Sequence, residues 1–145
     1  MRSVEQLVQE LLQGVSIAVP AGQKLYGVMP GDTVRVSASI DYRGPEWDDV
    51  FYAAIGSKVV FFDEYWVGKK PVHFDASADW VTYPLSVDIL ITKIAKLPWT
   101  PGWMDLYVKL DEAQGKAGFP ELSNVIEVLL AAEFQNFGIV SYEVV

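Results

Sequence analysis

The segment Thr33 to Tyr42 constrains this chain more than any other: Val34, Val36, Ala38, Ile40 and Tyr42 alternate without a break with Thr33, Arg35, Ser37, Ser39 and Asp41. Side chains repeat every two residues only along an extended strand, so the pattern specifies one buried face and one wet face. The same period returns at Leu85, Val87, Ile89 and Ile91, set against Ser86, Asp88 and Thr92 and interrupted by Leu90. It returns again at Met104, Leu106, Val108 and Leu110, set against Asp105, Tyr107, Lys109 and Asp111. Half-buried strands of this kind belong to antiparallel sheets. Further strands are expected at Ser16 to Val19, Val50 to Ile55, Lys58 to Phe62, Asn124 to Leu129 and Gly138 to Val144, each rich in β-branched or aromatic residues. At Asn124 to Leu129 a helix is the alternative, because Leu122, Val125, Ile126, Leu129 and Leu130 also fit helical spacing. Pro30-Gly31, Gly44-Pro45, Gly68, Pro71, Pro98, Pro101-Gly102, Gly115, Gly118 and Pro120 supply the turns. Helices do not alternate with strands as a parallel sheet would require, so the expected fold class is mainly β, an antiparallel β-sandwich.

Residues 1–15 read differently. Val4, Leu7, Val8, Leu11 and Leu12 fall on one face of a helix, with Ser3 and Gln6 placed to cap its start and Gly14 to end it. A helix of about three turns is marginal alone in water, so this stripe is expected to pack on its own sandwich or on a neighbouring copy. The chain of 145 residues is the size of one core, and no repeat, low-complexity tract or linker marks a second. The expected organisation is one domain over 1–145: an amphipathic helix at 1–15 and a sandwich at 16–145 that includes a C-terminal strand.

Charge and composition exclude several classes. Eleven basic and nineteen acidic residues leave a net charge of −8, which repels a polyanion and argues against nucleic acid as a partner. Without cysteine there is no disulfide framework, thiolate metal site or cysteine nucleophile. Glu5, Gln6, Gln9, Glu10 and Gln13 interrupt what would have to be the apolar core of a signal peptide. The longest apolar runs, Val50 to Ile55 and Val128 to Ala132, fall far short of the roughly 20 residues of a spanning helix, so no membrane partner is expected. The compartment is unknown from the sequence, with cytoplasm or virion as the default.

Three stretches carry a resemblance. Gly31-Asp32-Thr33-Val34-Arg35-Val36, continuing through Ile40-Asp41-Tyr42-Arg43-Gly44, resembles the opening strand of immunoglobulin-like modules found in bacterial cell-adhesion-related repeats. Gly102-Trp103-Met104-Asp105-Leu106-Tyr107-Val108-Lys109-Leu110-Asp111 resembles their late strand. Glu121-Leu122-Ser123-Asn124-Val125-Ile126-Glu127-Val128 is similar to their Asn-containing turn and closing strand. The resemblance spans roughly Gly31 to Leu130 and implies an immunoglobulin-like β-sandwich, with the N-terminal helix and the Phe134 to Val145 tail as additions. As architecture alone, a helix-plus-sandwich of this size also resembles small accessory or decoration proteins of phage particles.

The residues that bear chemistry are sparse. His73 is the single histidine, with Asp75 two residues on, but no Gly-x-Ser-x-Gly turn or cysteine offers a nucleophile, and one histidine cannot build a zinc site here. His73 is expected on the surface or in a loop. Acidic pairs occur at Asp48-Asp49, Asp63-Glu64 and Asp111-Glu112, with Glu46 near the first, yet no Asp-x-Asp-x-Asp-Gly loop is present and strand neighbours point to opposite faces. Solvated charge is the preferred reading over calcium or a glycosidase pair. Trp47, Trp66, Trp80, Trp99 and Trp103 lie near turns and strand ends, where large aromatics usually fill a sandwich. Trp99 and Trp103 flank a turn and, with Tyr107, form the candidate ligand patch. No glycine-rich phosphate loop is present.

These observations lead to a non-enzymatic structural or assembly protein without a cofactor, docking through Val4, Leu7, Val8, Leu11 and Leu12 and through its tail on copies of itself or other structural proteins, with a phage or virus-like particle as the setting. The alternative is a carbohydrate-binding or cell-surface adhesion module that stacks a glycan on Trp99, Trp103 and Tyr107.

Overall fold

The computed structural model describes residues 19–58, 62–94, 102–130 and 134–145. The expected helix at 1–15 and its stripe lie outside them, as do Trp99 and, of the first strand expected, all but Val19. The described chain is mainly β. Its strands are β1 (Leu25–Val28), β2 (Thr33–Gly44), β3 (Trp47–Lys58), β4 (Phe62–Phe74), β5 (Ser77–Leu90), β6 (Trp103–Leu110) and β7 (Glu121–Val128). They form a five-stranded sheet in the order β1-β7-β6-β3-β4 and a two-stranded sheet, β2-β5. This is an immunoglobulin-like arrangement, with one hairpin-built sheet facing a pair that the chain enters by crossing over. It is antiparallel except where β1 runs parallel to β7, Leu25 lying opposite Ile126.

One ladder builds most of it. Thr33 pairs with Leu90, and the register runs on through Tyr42 with Val81 and Gly44 with Ser77. It resumes at Trp47 with Phe74 and continues to Lys58 with Phe62. The β2–β3 arm and the β4–β5 arm are therefore two sides of a single long hairpin, folded over at Gly44–Trp47 and Phe74–Ser77 so that its halves stack face to face. The corner is pinned by Phe74, whose ring lies 4.8 Å from that of Tyr42 and 4.9 Å from that of Tyr83. Gly44, at φ 139, takes a backbone conformation that L side chains rarely adopt.

The core lies between the two sheets. Val34, Val36, Leu85, Val87, Ile89 and Ile91 come from one side, and Phe51, Ala53, Ile55, Trp66, Met104, Leu110 and Ile126 from the other. These are the alternating positions of the sequence, so β2, the later half of β5 and β6 form where expected. Val50 to Ile55 lies in β3, and Asn124 to Leu129 resolves as strand, because β7 pairs with β6 along one edge and β1 along the other.

Three expectations need correction. Of the strand expected at Lys58 to Phe62, 59–61 lie outside the described residues, and its two ends belong to different strands, Lys58 closing β3 and Phe62 opening β4 opposite it. The segment continuing to Phe74, where turns are expected at Gly68 and Pro71, is a 13-residue edge strand, where a proline costs no ladder bond. Gly138 to Val144 forms no strand, and 134–145 carries no regular structure. A strand without a partner ladder leaves its backbone groups to water and is not stable alone, whatever its side-chain period.

Candidate functional site

Register places the second half of the expected patch on the outer face of the five-stranded sheet. Leu106 and Val108 turn into the core, so Trp103, Tyr107 and Lys109 turn out. Tyr52 stands beside them on β3, where Phe51 and Ala53 are the inward residues. Glu64 of β4 accepts the hydroxyls of both Tyr52 and Tyr107, one on each carboxylate oxygen. Lys109 Nζ lies 4.6 Å and Lys69 Nζ 5.3 Å from the centre of the Tyr52 ring, which favours the cations electrostatically. Burial pushes both phenols up, and the Glu64 carboxylate pushes them further, so they remain donors at neutral pH. Trp103 sits four residues from Tyr107, about 13 Å along a strand. Its ring meets Tyr26 edge-on at 5.2 Å and carries Lys24 Nζ 4.4 Å from its centre. Trp103 and Tyr107 thus share a face, but each is already engaged by neighbours. Sequence spacing gave no hint of Glu64, which is 12 residues from one tyrosine and 43 from the other.

A second cluster sits at the folded corner. His73 lies on β4, exposed as expected but on a strand rather than a loop. Its Nδ1 is 2.5 Å from Asp48 Oδ1, and its Nε2 lies 3.3 Å from Glu46 Oε1 and 3.2 Å from Asp75 Oδ1. The hydrogen bond to Asp48 holds the imidazole above its ordinary pKa; slight desolvation opposes this, and the charges of Asp48, Glu46 and Asp75 add to it. Three carboxylates thus surround one imidazole at the corner, and each favours its protonated form.

The remaining acidic residues are divided by strand geometry. Asp48 faces water, whereas Asp49, its neighbour, is buried. Asp49 accepts the backbone N–H groups of Val50 at 2.7 Å, Glu112 at 2.8 Å and Ala113 at 3.0 Å, together with the Trp47 indole N–H at 3.0 Å. Burial alone would raise this carboxyl, but the donors, led by Glu112, outweigh it and hold it below the usual range. Asp105, also buried, accepts N–H from Lys58 at 2.9 Å and from Asn124 at 2.8 Å. Asn124 itself is held at φ 53, so Asp105 anchors the bulge that starts the second half of β7. Both buried carboxylates therefore tie turns to strands. Among the described residues no group of three or more His, Cys, Asp or Glu side chains is arranged to hold a metal ion.

A shallow cleft of about 230 Å³ opens between β4 and β5, lined by Lys70, His73, Phe74, Tyr83 and Ser86 among others. Pockets that enclose small molecules usually run roughly 300–1,000 Å³. Of the four tryptophans in the described residues, Trp66 is a core residue at 3% exposure, while Trp47 and Trp80 are exposed, Trp80 with the Arg43 guanidinium 4.6 Å from its ring centre.

Among the described residues the largest apolar exposure lies elsewhere. Phe134, Phe137, Ile139, Val140, Tyr142, Val144 and Val145 are each between 89% and 110% exposed. Comparison with protein-family models, with curated proteins and with solved structures finds no match to this chain.

Proposed function

We propose that this protein is a non-enzymatic structural component, an immunoglobulin-like sandwich that docks on copies of itself, with a phage or virus-like particle as its setting. The observation that carries the reading is the 134–145 segment, whose seven large apolar side chains stand in water. Burying a side chain of this size is worth about 1.5–3 kcal/mol, and monomeric proteins rarely leave so much contiguous apolar surface unused. The outer aromatic face supports the same reading, because Tyr52, Tyr107 and Glu64 satisfy one another and leave a surface suited to contact rather than to chemistry. Glycan stacking on Trp103 and Tyr107 has less support, since Lys24 stands over the Trp103 ring.

Light scattering behind a sizing column tests the proposal. The full chain is expected to be an oligomer, and a chain ending at Leu130 a monomer. A full chain that stays monomeric at every concentration would overturn self-assembly. The expected helix contact is tested in the same way with a chain lacking residues 1–15.

A further inference from the structure

The two sheets are unequally finished. Among the described residues the second sheet has only two strands, so both are edges, and isolated two-stranded sheets are marginal. Each long edge is a row of N–H and C=O groups open to pairing unless something blocks it. On β4 the row is interrupted by Pro71 and on β5 by Pro84. β2 contains no proline.

The phase of the ladder shows which groups β2 presents. Ile91 donates its N–H to the Asp32 carbonyl at 2.9 Å. Alternation from that bond places Val34, Val36, Ala38 and Ile40 in hydrogen-bonded pairs with β5, and turns the backbone groups of Thr33, Arg35, Ser37, Ser39 and Asp41 toward the free edge. Pro84 fits this phase, since it lies opposite Ser39 and its missing N–H falls on the outer side of β5. The core also thins along β2. Val34 and Val36 are buried, but Ala38, Ile40 and Tyr42 are only half-buried, as a face lacking its next strand would be.

The exposed segment matches what is missing. From Val140 to Val144 it alternates Val140, Tyr142, Val144 with Ser141 and Glu143, the same period of two that β2 carries. We propose that the 134–145 segment of one copy adds as a strand to the free edge of β2 in a second copy, setting Val140, Tyr142 and Val144 beside the half-buried row of Ala38, Ile40 and Tyr42. This rests on the assembly reading and specifies its interface. Donor and acceptor are different parts of the chain, so the contact is heterologous and propagates into a ring or a filament.

Two variants separate donor from acceptor. Ser37→Pro removes one outward N–H without touching the β2–β5 ladder, the device already present at Pro84. A chain ending at Leu130 lacks the donor but keeps every described residue of the core, from Leu25 to Leu130. Each alone is expected to be monomeric by light scattering, and their equimolar mixture to give a complex of one copy of each. Amide exchange at Ser37 and Ser39 is expected to slow in the full chain relative to the shortened one, and this second readout decides the matter if Ser37→Pro does not fold. An oligomer that persists in folded Ser37→Pro overturns the β2 edge and leaves assembly standing. A monomeric full chain with unprotected Ser37 and Ser39 overturns both readings. A monomer in which those amides are protected shows the segment added to its own chain and overturns the second copy.

Discussion

Gly68 of β4 and Asp88 of β5 meet across the sandwich so closely that a Cβ on Gly68 would lie 2.6 Å from the Asp88 carbonyl oxygen. The sheets are drawn together on this side, with Val87 and Ile89 also within 3.0 Å of that position, while among the described residues β2 pairs only with β5.

Replacing Gly68 by alanine should therefore cost about 1–3 kcal/mol, because the obstacle is backbone and cannot rotate away. Gly102→Ala, where a Cβ meets nothing within 4 Å, serves as the control and should stay within about 0.5 kcal/mol. Urea midpoints of the two variants make the comparison; equal midpoints would mean that the sheets are not clamped at Gly68.

Asp49→Asn should destabilise the fold by about 2–4 kcal/mol at neutral pH, since four donors lose a charged acceptor. The sign of its pH dependence follows from a folded-state pKa below the unfolded value of about 3.9. The contribution is fully present above that value and is lost as pH falls through the lower folded one. The gap in urea midpoint between wild type and Asp49→Asn should be constant from neutral pH down to about 4 and narrow as the pH is lowered further. Parallel curves would show that Asp49 is not the group responsible.

His73, the single histidine, gives an unambiguous NMR titration. Its midpoint should lie above about 6.5, the ordinary value, and Asp48→Asn should lower it by removing the largest cause of the shift. A raised folded-state pKa means that the stabilisation is complete below the unfolded value and fades as pH rises through the folded one. A midpoint at or below the ordinary value in wild type would show that the corner carboxylates do not hold the ring.

What the sequence disclosed follows from which signals are local. Val34 to Tyr42 and Met104 to Leu110 announce their strands because each buried face is written in consecutive residues. The Gly68-Lys69-Lys70-Pro71 run of β4 conceals its strand because an edge tolerates residues that an interior strand rejects. The division of Asp48 from Asp49 is legible as opposite faces, but the donors at Glu112 and Ala113 lie 63 and 64 residues away and leave no mark on spacing. The tail's alternation at Val140 to Val144 is real, yet a side-chain period cannot name the ladder that would make it a strand.

The single folded hairpin also bears on the order in which the molecule is made. Every rung from Lys58–Phe62 to Thr33–Leu90 adds to one already formed, so each closes only a small additional loop. Both faces of the core can then arise by zippering outward from the Lys58–Phe62 pair, a route of low effective contact order for a β protein. Leu25 opposite Ile126 joins the two ends of the described sandwich, and its closure waits until the intervening chain is in place. Nascent chain still emerging from a ribosome could thus hold most of its sheet-on-sheet contact before β7 exists, with the β1–β7 seam the last part to set.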